Sequence, residues 1–410
     1  MKIESVDLYY LAMPAIKNIG DGSQDALLVR IAAGQWVGWG ECETSPLVSM
    51  ANWACPMSHS ACRPVRDGVL GQRLETPADI ARINAEVRKL GLDIAQTDHT
   101  LSGIDIALWD LLGKRRGEPV YRLLGDKQAY PKTPYASQLF GDDPQQTLAK
   151  ARTMRDAGYA AVKFGWGPFG QGSVDADREQ VAAAREGLGS ELMLLVDAGT
   201  VWDEDVSAAA ARLSMLDAFE VTWLEEPFVS GALAAYRELT ARGSRVQMAA
   251  GEGAHNFHMA RHLIDHGGIG YVQIDTGRIG GITPARRVAE YANAHDVTYV
   301  NHTFTTHLAL SASLQPYAGM ADHTLCEYPV EASDLATRLT KDQLRLDADG
   351  QIRVPESPGL GVDPDPAVID QYHVDVEMYV AGRCVFRSGA IAGSNTDTAG
   401  EVARGGDMAD

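Results

Sequence analysis

The chain lacks what a secreted scaffold, a membrane span or a nucleic-acid binder would need. Cysteine is scarce: Cys42, Cys55, Cys62, Cys326 and Cys384 are an odd, scattered set without a CxxC pair. That disfavours a disulfide framework and a Cys-based zinc site, and it points to a reducing compartment, the cytoplasm. No apolar run reaches the roughly 18 residues of a membrane span. The first residues, MKIESVDLYYLAMP, place Glu4 and Asp7 inside their apolar stretch and do not read as a signal peptide. Positive charge is also in short supply. Against 55 Asp+Glu stand 36 Lys+Arg, a formal charge of −19, so nucleic acid and anionic membrane surfaces would be repelled. What remains is the ordinary composition of a soluble globular protein, 45% hydrophobic and 22% charged.

The first forty residues read as strands: Ile3 to Leu11, Ala26 to Ala32, and Trp36 to Glu41. Two irregular stretches, Ile16 to Asp25 and Thr44 to Arg66, are long for a compact domain, which suggests functional loops. Apolar spacing predicts helices over Pro77–Leu90 and Ser102–Arg116, with Ser102 as the N-cap of the second. From about residue 131, short apolar runs alternate with amphipathic stretches. The runs are Pro134–Leu139, Ala160–Phe164, Leu192–Asp197, Val221–Glu225, Val246–Glu252, Gly270–Asp275, Val297–His302 and Thr324–Glu327. Their starts recur at a nearly even interval with room for one strand and one helix each, and eight such units close an α/β barrel. A doubly wound sheet would alternate similarly, but no GxGxxG follows any of these strands. The expected organisation is an α+β cap over 1–130, a (β/α)8-type barrel over 131–353, a return to the cap over 354–387, and a disordered Gly-, Ala-, Ser- and Asp-rich tail over 388–410.

Acidic residues fall at the strand ends. MLLVDAG ends in Asp197, TWLEEPF in Glu225 and Glu226, and MAAGEG in Glu252, so Asp197, Glu225 and Glu252 are spaced by the period of the repeat. A lone carboxylate after a strand is usually a helix cap or a salt bridge. Three in register on neighbouring strands would repel one another unless a cation intervened, and all-oxygen ligands suit Mg²⁺. Asp275 and His302, one period apart on the next two strand ends, could form a dyad in which the carboxylate fixes the imidazole tautomer. Glu327 ends the eighth strand.

These residues resemble the enolase superfamily, in its mandelate racemase subgroup. GWGEC (Gly38–Cys42) and SGIDIALWDLLGK (Ser102–Lys114) are similar to its capping-domain signatures. VDAG, WLEEP, AAGE, IDTGRIGGIT and the His302 segment are similar to successive barrel-strand ends. The resemblance implies Asp197, Glu225 (not Glu226) and Glu252 as Mg²⁺ ligands, Asp275–His302 as the general-base dyad, and Glu327 as a hydrogen-bonding electrophile near the substrate carboxylate. It also implies a homo-oligomer and a sugar-acid or similar carboxylate substrate. One departure matters. Many relatives carry Lys-x-Lys on the second strand, the second lysine acting as base. Here Lys163 matches the first lysine and Gly165 stands in place of the second, so Lys163 reads as electrostatic support for the substrate carboxylate.

Racemisation needs a base on each face of the substrate, and His302 is the single credible one. One histidine can take the α-proton and return it to a departing β-hydroxyl, so the residues favour dehydration of a sugar acid to a 2-keto-3-deoxy acid. The alternatives are a lactone cycloisomerase or an epimerase whose second base comes from a loop, His59 or His255. These two and Trp166, in the WGPFGQG insert, are the candidate substrate-binding residues. A non-catalytic sugar-acid-binding barrel would instead hold its carboxylates with Lys or Arg. A metal-dependent hydrolase would carry His-x-His on the first barrel strand, which reads PYASQLF.

Overall fold

The computed structural model describes residues 1–389. The N-terminal sheet consists of β1 (Ser5–Ala12), β2 (Asp25–Ala33) and β3 (Trp36–Cys42), antiparallel, with Tyr9 opposite Leu28 and Val29 opposite Gly40. The helix Thr97–Arg116 lies directly on β3. A Cβ on Gly40 would come 2.1 Å from the Gly103 carbonyl oxygen, and one on Gly38 equally close to that of Ala107. The glycines of GWGEC are therefore what lets strand and helix touch, and they join the two capping motifs into one contact.

This helix begins ahead of the predicted start, at Thr97. Ser102 does not cap it. Buried within the helix, its Oγ donates back to the Asp98 carbonyl and accepts from Gly280 N–H. The second irregular stretch also contains a helix, Pro46–Ala54. The helix Pro77–Leu90 is as expected and carries a Thr76–Asp79 capping box.

All eight anticipated barrel strands form: β4 (Thr133–Leu139), β5 (Ala161–Gly165), β6 (Met193–Asp197), β7 (Val221–Glu225), β8 (Gln247–Ala250), β9 (Tyr271–Asp275), β10 (Thr298–His302) and β11 (Leu325–Pro329). They are parallel, in the order β10-β9-β8-β7-β6-β5-β4-β11. At the seam between β10 and β11 a side chain does the bridging. Asn301 Oδ1 accepts from Glu327 N–H at 3.0 Å and from Tyr317 Oη–H at 2.9 Å. Inward-facing Tyr135, Leu195, Trp223, Ala249 and Val300 fill the barrel floor. Because strand residues alternate, Lys163 and Glu225 stand above that floor on the same inner face.

After the barrel, the helix Pro366–Tyr372 leads into β12 (His373–Val374), which pairs with β1 (Tyr10 opposite Val374) and ties the chain's later part to the cap sheet. A hairpin of β13 (Glu377–Val380) and β14 (Arg383–Arg387) follows. Ser388 and Gly389 are still bonded to the backbone of Val376 and Leu8. The rest of the tail anticipated as disordered, 390–410, lies outside the described residues. Among the described residues no helix is long and apolar enough to cross a membrane, and no cysteine is in a disulfide.

Candidate active site

The strand ends bring the expected charges to one mouth of the barrel. Asp197 and Glu225 pair in register on β6 and β7, and Glu252 follows β8 after Gly251. Lys163 on β5 sits among them, 4% exposed. Its Nζ lies 2.6 Å from Glu225, 2.8 Å from Glu327 and 3.5 Å from Asp197. Glu225 also accepts from Trp223 Nε1–H at 3.1 Å, and Glu327 from Thr303 N–H at 2.8 Å. Burial alone would strip the proton from Lys163, but Glu225 and Glu327 outweigh it and hold the lysine well above its ordinary value. Burial raises the carboxyls of Asp197 and Glu225, and their acidic neighbours add to it against the pull of Lys163. Glu226, just past the end of β7 with a left-handed backbone (φ 37), accepts from Gly251 N–H, and burial with the charges of Glu252 and Asp197 raises its carboxyl to about 8.

On the neighbouring wall His302 Nδ1 lies 2.7 Å from Asp275 Oδ2, whose other oxygen accepts from Gly277 N–H at 2.6 Å. With Nδ1 donating to Asp275, Nε2 faces the centre, 3.2 Å from Glu252. Burial would raise the Asp275 carboxyl, yet the hydrogen bond and charge of His302 bring it to about 2. Burial also disfavours the imidazolium, but Glu252 and Glu327 outweigh it and raise His302 well above 6.5.

Two residues that sequence reasoning did not assign complete this wall. Arg278 lies 2.5 Å from Glu43 on the cap and 3.0 Å from Glu252 on the barrel, and Glu43 N–H donates to the Gly277 carbonyl. Burial pushes the Glu43 carboxyl up to about 8 despite Arg278. Glu43 directly follows GWGEC, and Arg278 lies inside IDTGRIGGIT. The motifs were visible, but the pairing of two residues so far apart in the chain was not.

A cavity of about 310 Å³ opens onto these groups, lined by Lys163, Asp197, Glu252, Arg278 and His302 and covered by Ile19–Gly22 of the first loop. Trp166, as anticipated, is on its wall. It is 49% exposed, has a left-handed backbone (φ 57) and packs its indole beside Gly20 and Gly199. His59 and His255 are not among the residues that line this cavity. His59 is exposed on the cap and held 3.3 Å from Asp93, while His255 Nδ1 is taken up by His99 Nε2 at 2.9 Å.

Among the described residues, the His/Cys/Asp/Glu group whose candidate ligand atoms all lie within 4.8 Å of one another is Glu43, Asp275 and His302. The dyad hydrogen bond already occupies that group. The Asp197–Glu225–Glu252 set is more open, with Lys163 against the first two and Glu252 turned to Arg278 and His302. Such pairing is what a metal-free barrel would show. Yet the acids outnumber Lys163 and Arg278, and Asp197 and Glu225 keep raised carboxyls beside Lys163. An all-oxygen donor set with surplus negative charge fits a hard divalent cation.

Residues 146–368 match the family model described as enolase C-terminal domain-like, and residues 14–125 match that of the mandelate racemase / muconate lactonizing enzyme N-terminal domain. A D-galactonate dehydratase from Variovorax paradoxus is 32% identical over 65% of this chain and 71% of its own length. An L-talarate/galactarate dehydratase from Salmonella typhimurium is 29% identical over 74% and 72%. A D-galactarolactone cycloisomerase from Agrobacterium fabrum is 28% identical over 67% and 74%. A crystal structure from Rhodobacter sphaeroides, described as a predicted mandelate racemase, superposes with a TM-score of 0.91 at 57% identity, covering 95% of this chain and all of that one. With both domain models matched on a barrel and cap of this architecture, the chain is an enzyme of the enolase superfamily, in its mandelate racemase subgroup.

Proposed function

We propose that the chain is a sugar-acid dehydratase, a hydro-lyase that converts an α,β-dihydroxy acid to a 2-keto-3-deoxy acid. One asymmetry carries this reading: a His302–Asp275 pair at 2.7 Å on one wall, and Gly165 at the end of β5 across the mouth. A Cβ on Gly165 would come within 2.9 Å of Asp197, so the site has no room there for a second base without displacing that carboxylate.

Asp197, Glu225 and Glu252 would hold the cation, for which Mg²⁺ fits the oxygen donors. A bound divalent cation supplies positive charge against the second negative charge that develops on the substrate carboxylate. Lys163, with Glu327 beside it, faces the same end of the substrate and opposes that charge. With Glu252 given to the cation, His302 loses the charge that raises it most, and its neutral Nε2 can take the α-proton while Asp275 holds Nδ1–H and stabilises the imidazolium. The C–H electron pair moves into the enediolate. As it returns, the β C–O bond breaks and the hydroxyl leaves as water with the proton from His302. The enol then tautomerises to the keto acid.

The dehydratases among the relatives support this reading. The cycloisomerase relative supports a second, in which the same α-proton chemistry acts on a lactone. A sugar-acid library incubated with enzyme and Mg²⁺, assayed for semicarbazide-reactive product, separates them. Keto acid from at least one member is expected. Lactone turnover without any keto acid would transfer the assignment to cycloisomerisation.

A further inference from the structure

The His302–Asp275 pair has a neighbour on the cap that the proposed reaction does not use. Glu43, the first residue after β3, lines the cavity, and Glu43, Asp275 and His302 each place a polar side-chain atom within 4.8 Å of the other two. Gly277 permits this approach. Glu43 N–H donates to its carbonyl at 3.1 Å, and a Cβ at 277 would come 3.0 Å from both Glu43 Cβ and Asp275 Oδ1. Glu43 Oε1 takes the Arg278 guanidinium at 2.5 Å, while the buried Oε2 accepts from none of the described residues. Two buried carboxylates side by side repel each other, so one of them retains a proton. Burial pushes the Glu43 carboxyl up to about 8, and Asp275, despite its own burial, is brought to about 2 by His302. The hydrogen bond between the two carboxyls raises the first and lowers the second, which makes Glu43 the donor.

We infer that Glu43 is a positioning residue for the general base, a neutral carboxylic acid from the cap whose O–H donates to Asp275 and completes a Glu43–Asp275–His302 chain. The inference rests on the dehydratase reading for the role of His302. The donated hydrogen bond holds Asp275 where it meets His302 Nδ1–H. It also draws part of the carboxylate's charge away from the imidazole, which favours a neutral Nε2 ready to take a proton. Arg278 fixes the other oxygen of Glu43. Because Glu43 follows β3 while Asp275 and His302 end β9 and β10, the chain is complete only with the cap seated on the barrel.

Glu43→Gln keeps a neutral donor beside Asp275 and an oxygen for Arg278, whereas Glu43→Leu removes both at similar volume. The full chain with Mg²⁺ should be compared in two ways. One is turnover and α-proton exchange in D₂O on an accepted sugar acid; the other is the low-field NMR resonance of the His302 Nδ1 proton, assigned by its loss in His302→Asn. Glu43→Gln should keep both readouts near wild type. Glu43→Leu should slow kcat and α-exchange by about 10- to 100-fold with KM changed far less, and should move the resonance downfield as Asp275 becomes the stronger acceptor. Glu43→Ala takes its place if Glu43→Leu does not fold. Loss in Glu43→Gln as large as in Glu43→Leu would show that Glu43 supplies charge and not a donated proton, and overturns the inference. With a wild type that exchanges, either readout unmoved in Glu43→Leu overturns it as well. The resonance needs no substrate, so its shift in Glu43→Leu without any α-exchange by the wild type would leave the chain standing and overturn the dehydratase reading.

Discussion

Replacing Lys163 by methionine removes a buried cation that touches three carboxylates, at 2.6, 2.8 and 3.5 Å. Methionine fills a similar volume, so the change is mainly electrostatic. Breaking a buried charge pair on one side costs about 3–5 kcal/mol, because the partner is left unopposed. At roughly 2.1 cal/mol/K of unfolding entropy per residue, that lowers the melting temperature of a 410-residue chain by about 4–6 °C. The loss should depend on pH. Without Lys163, Glu225 and Asp197 rise further above their unfolded values. A raised folded carboxyl favours folding at low pH, and that contribution disappears as pH climbs through the folded value. The deficit relative to wild type should therefore be largest near about pH 8 and smaller near about pH 5.5. Added Mg²⁺ should recover part of it, because a cation at the same oxygens restores the balance. Calorimetric melts of both proteins at the two pH values, with and without Mg²⁺, provide the measurement. A variant as stable as wild type at both would show that Lys163 does not hold these acids.

Two further substitutions probe other contacts. Burial pushes the Asp105 carboxyl from 3.8 up to about 6, although it accepts from Thr283 N–H, Thr283 Oγ1–H and Asn84 Nδ2–H. Its folded value lies above its unfolded one, so stability falls by about 3 kcal/mol as pH rises through this window. Asp105→Asn should flatten that slope, since among the described residues Asn84 Oδ1 has no partner and its amide can turn to accept, whereas Asp105→Ala should cost about 2–4 kcal/mol in urea unfolding. Glu252→Gln should weaken Mg²⁺ affinity by at least about tenfold in titration calorimetry, with an unchanged circular dichroism spectrum, because it removes a charged oxygen donor.

The barrel was legible because each strand is a short apolar run with a polar end, and the parallel register repeats that end at a nearly even interval along the chain. Period also explains why Asp197, Glu225, Asp275, His302 and Glu327 could be picked out: each stands at or near the end of a strand whose neighbours also end in charge. Alternation along β7 puts Glu225 on the inner face together with Trp223, whose Nε1–H donates to it. Contacts between the cap and the barrel were not legible. Glu43 meets Arg278, Ser102 meets Gly280 and Asp105 meets Thr283 across a large part of the chain, and no local pattern encodes such a pairing. For the same reason the contacts of His59 and His255, chosen by residue type in loops, could not be read from the sequence. Their partners Asp93 and His99 are set by how the cap folds.

On the dehydratase reading a single base, His302, removes the α-proton and elimination follows. It is tested most directly by running the wild type and His302→Asn in D₂O on an accepted sugar acid and following the α-position by NMR. The wild type should yield 2-keto-3-deoxy acid with little α-epimer, and His302→Asn should lose turnover by about 10²–10⁴-fold together with all α-exchange. Rapid formation of the α-epimer by the wild type, with α-exchange surviving in His302→Asn, would reveal a second base and contradict the account.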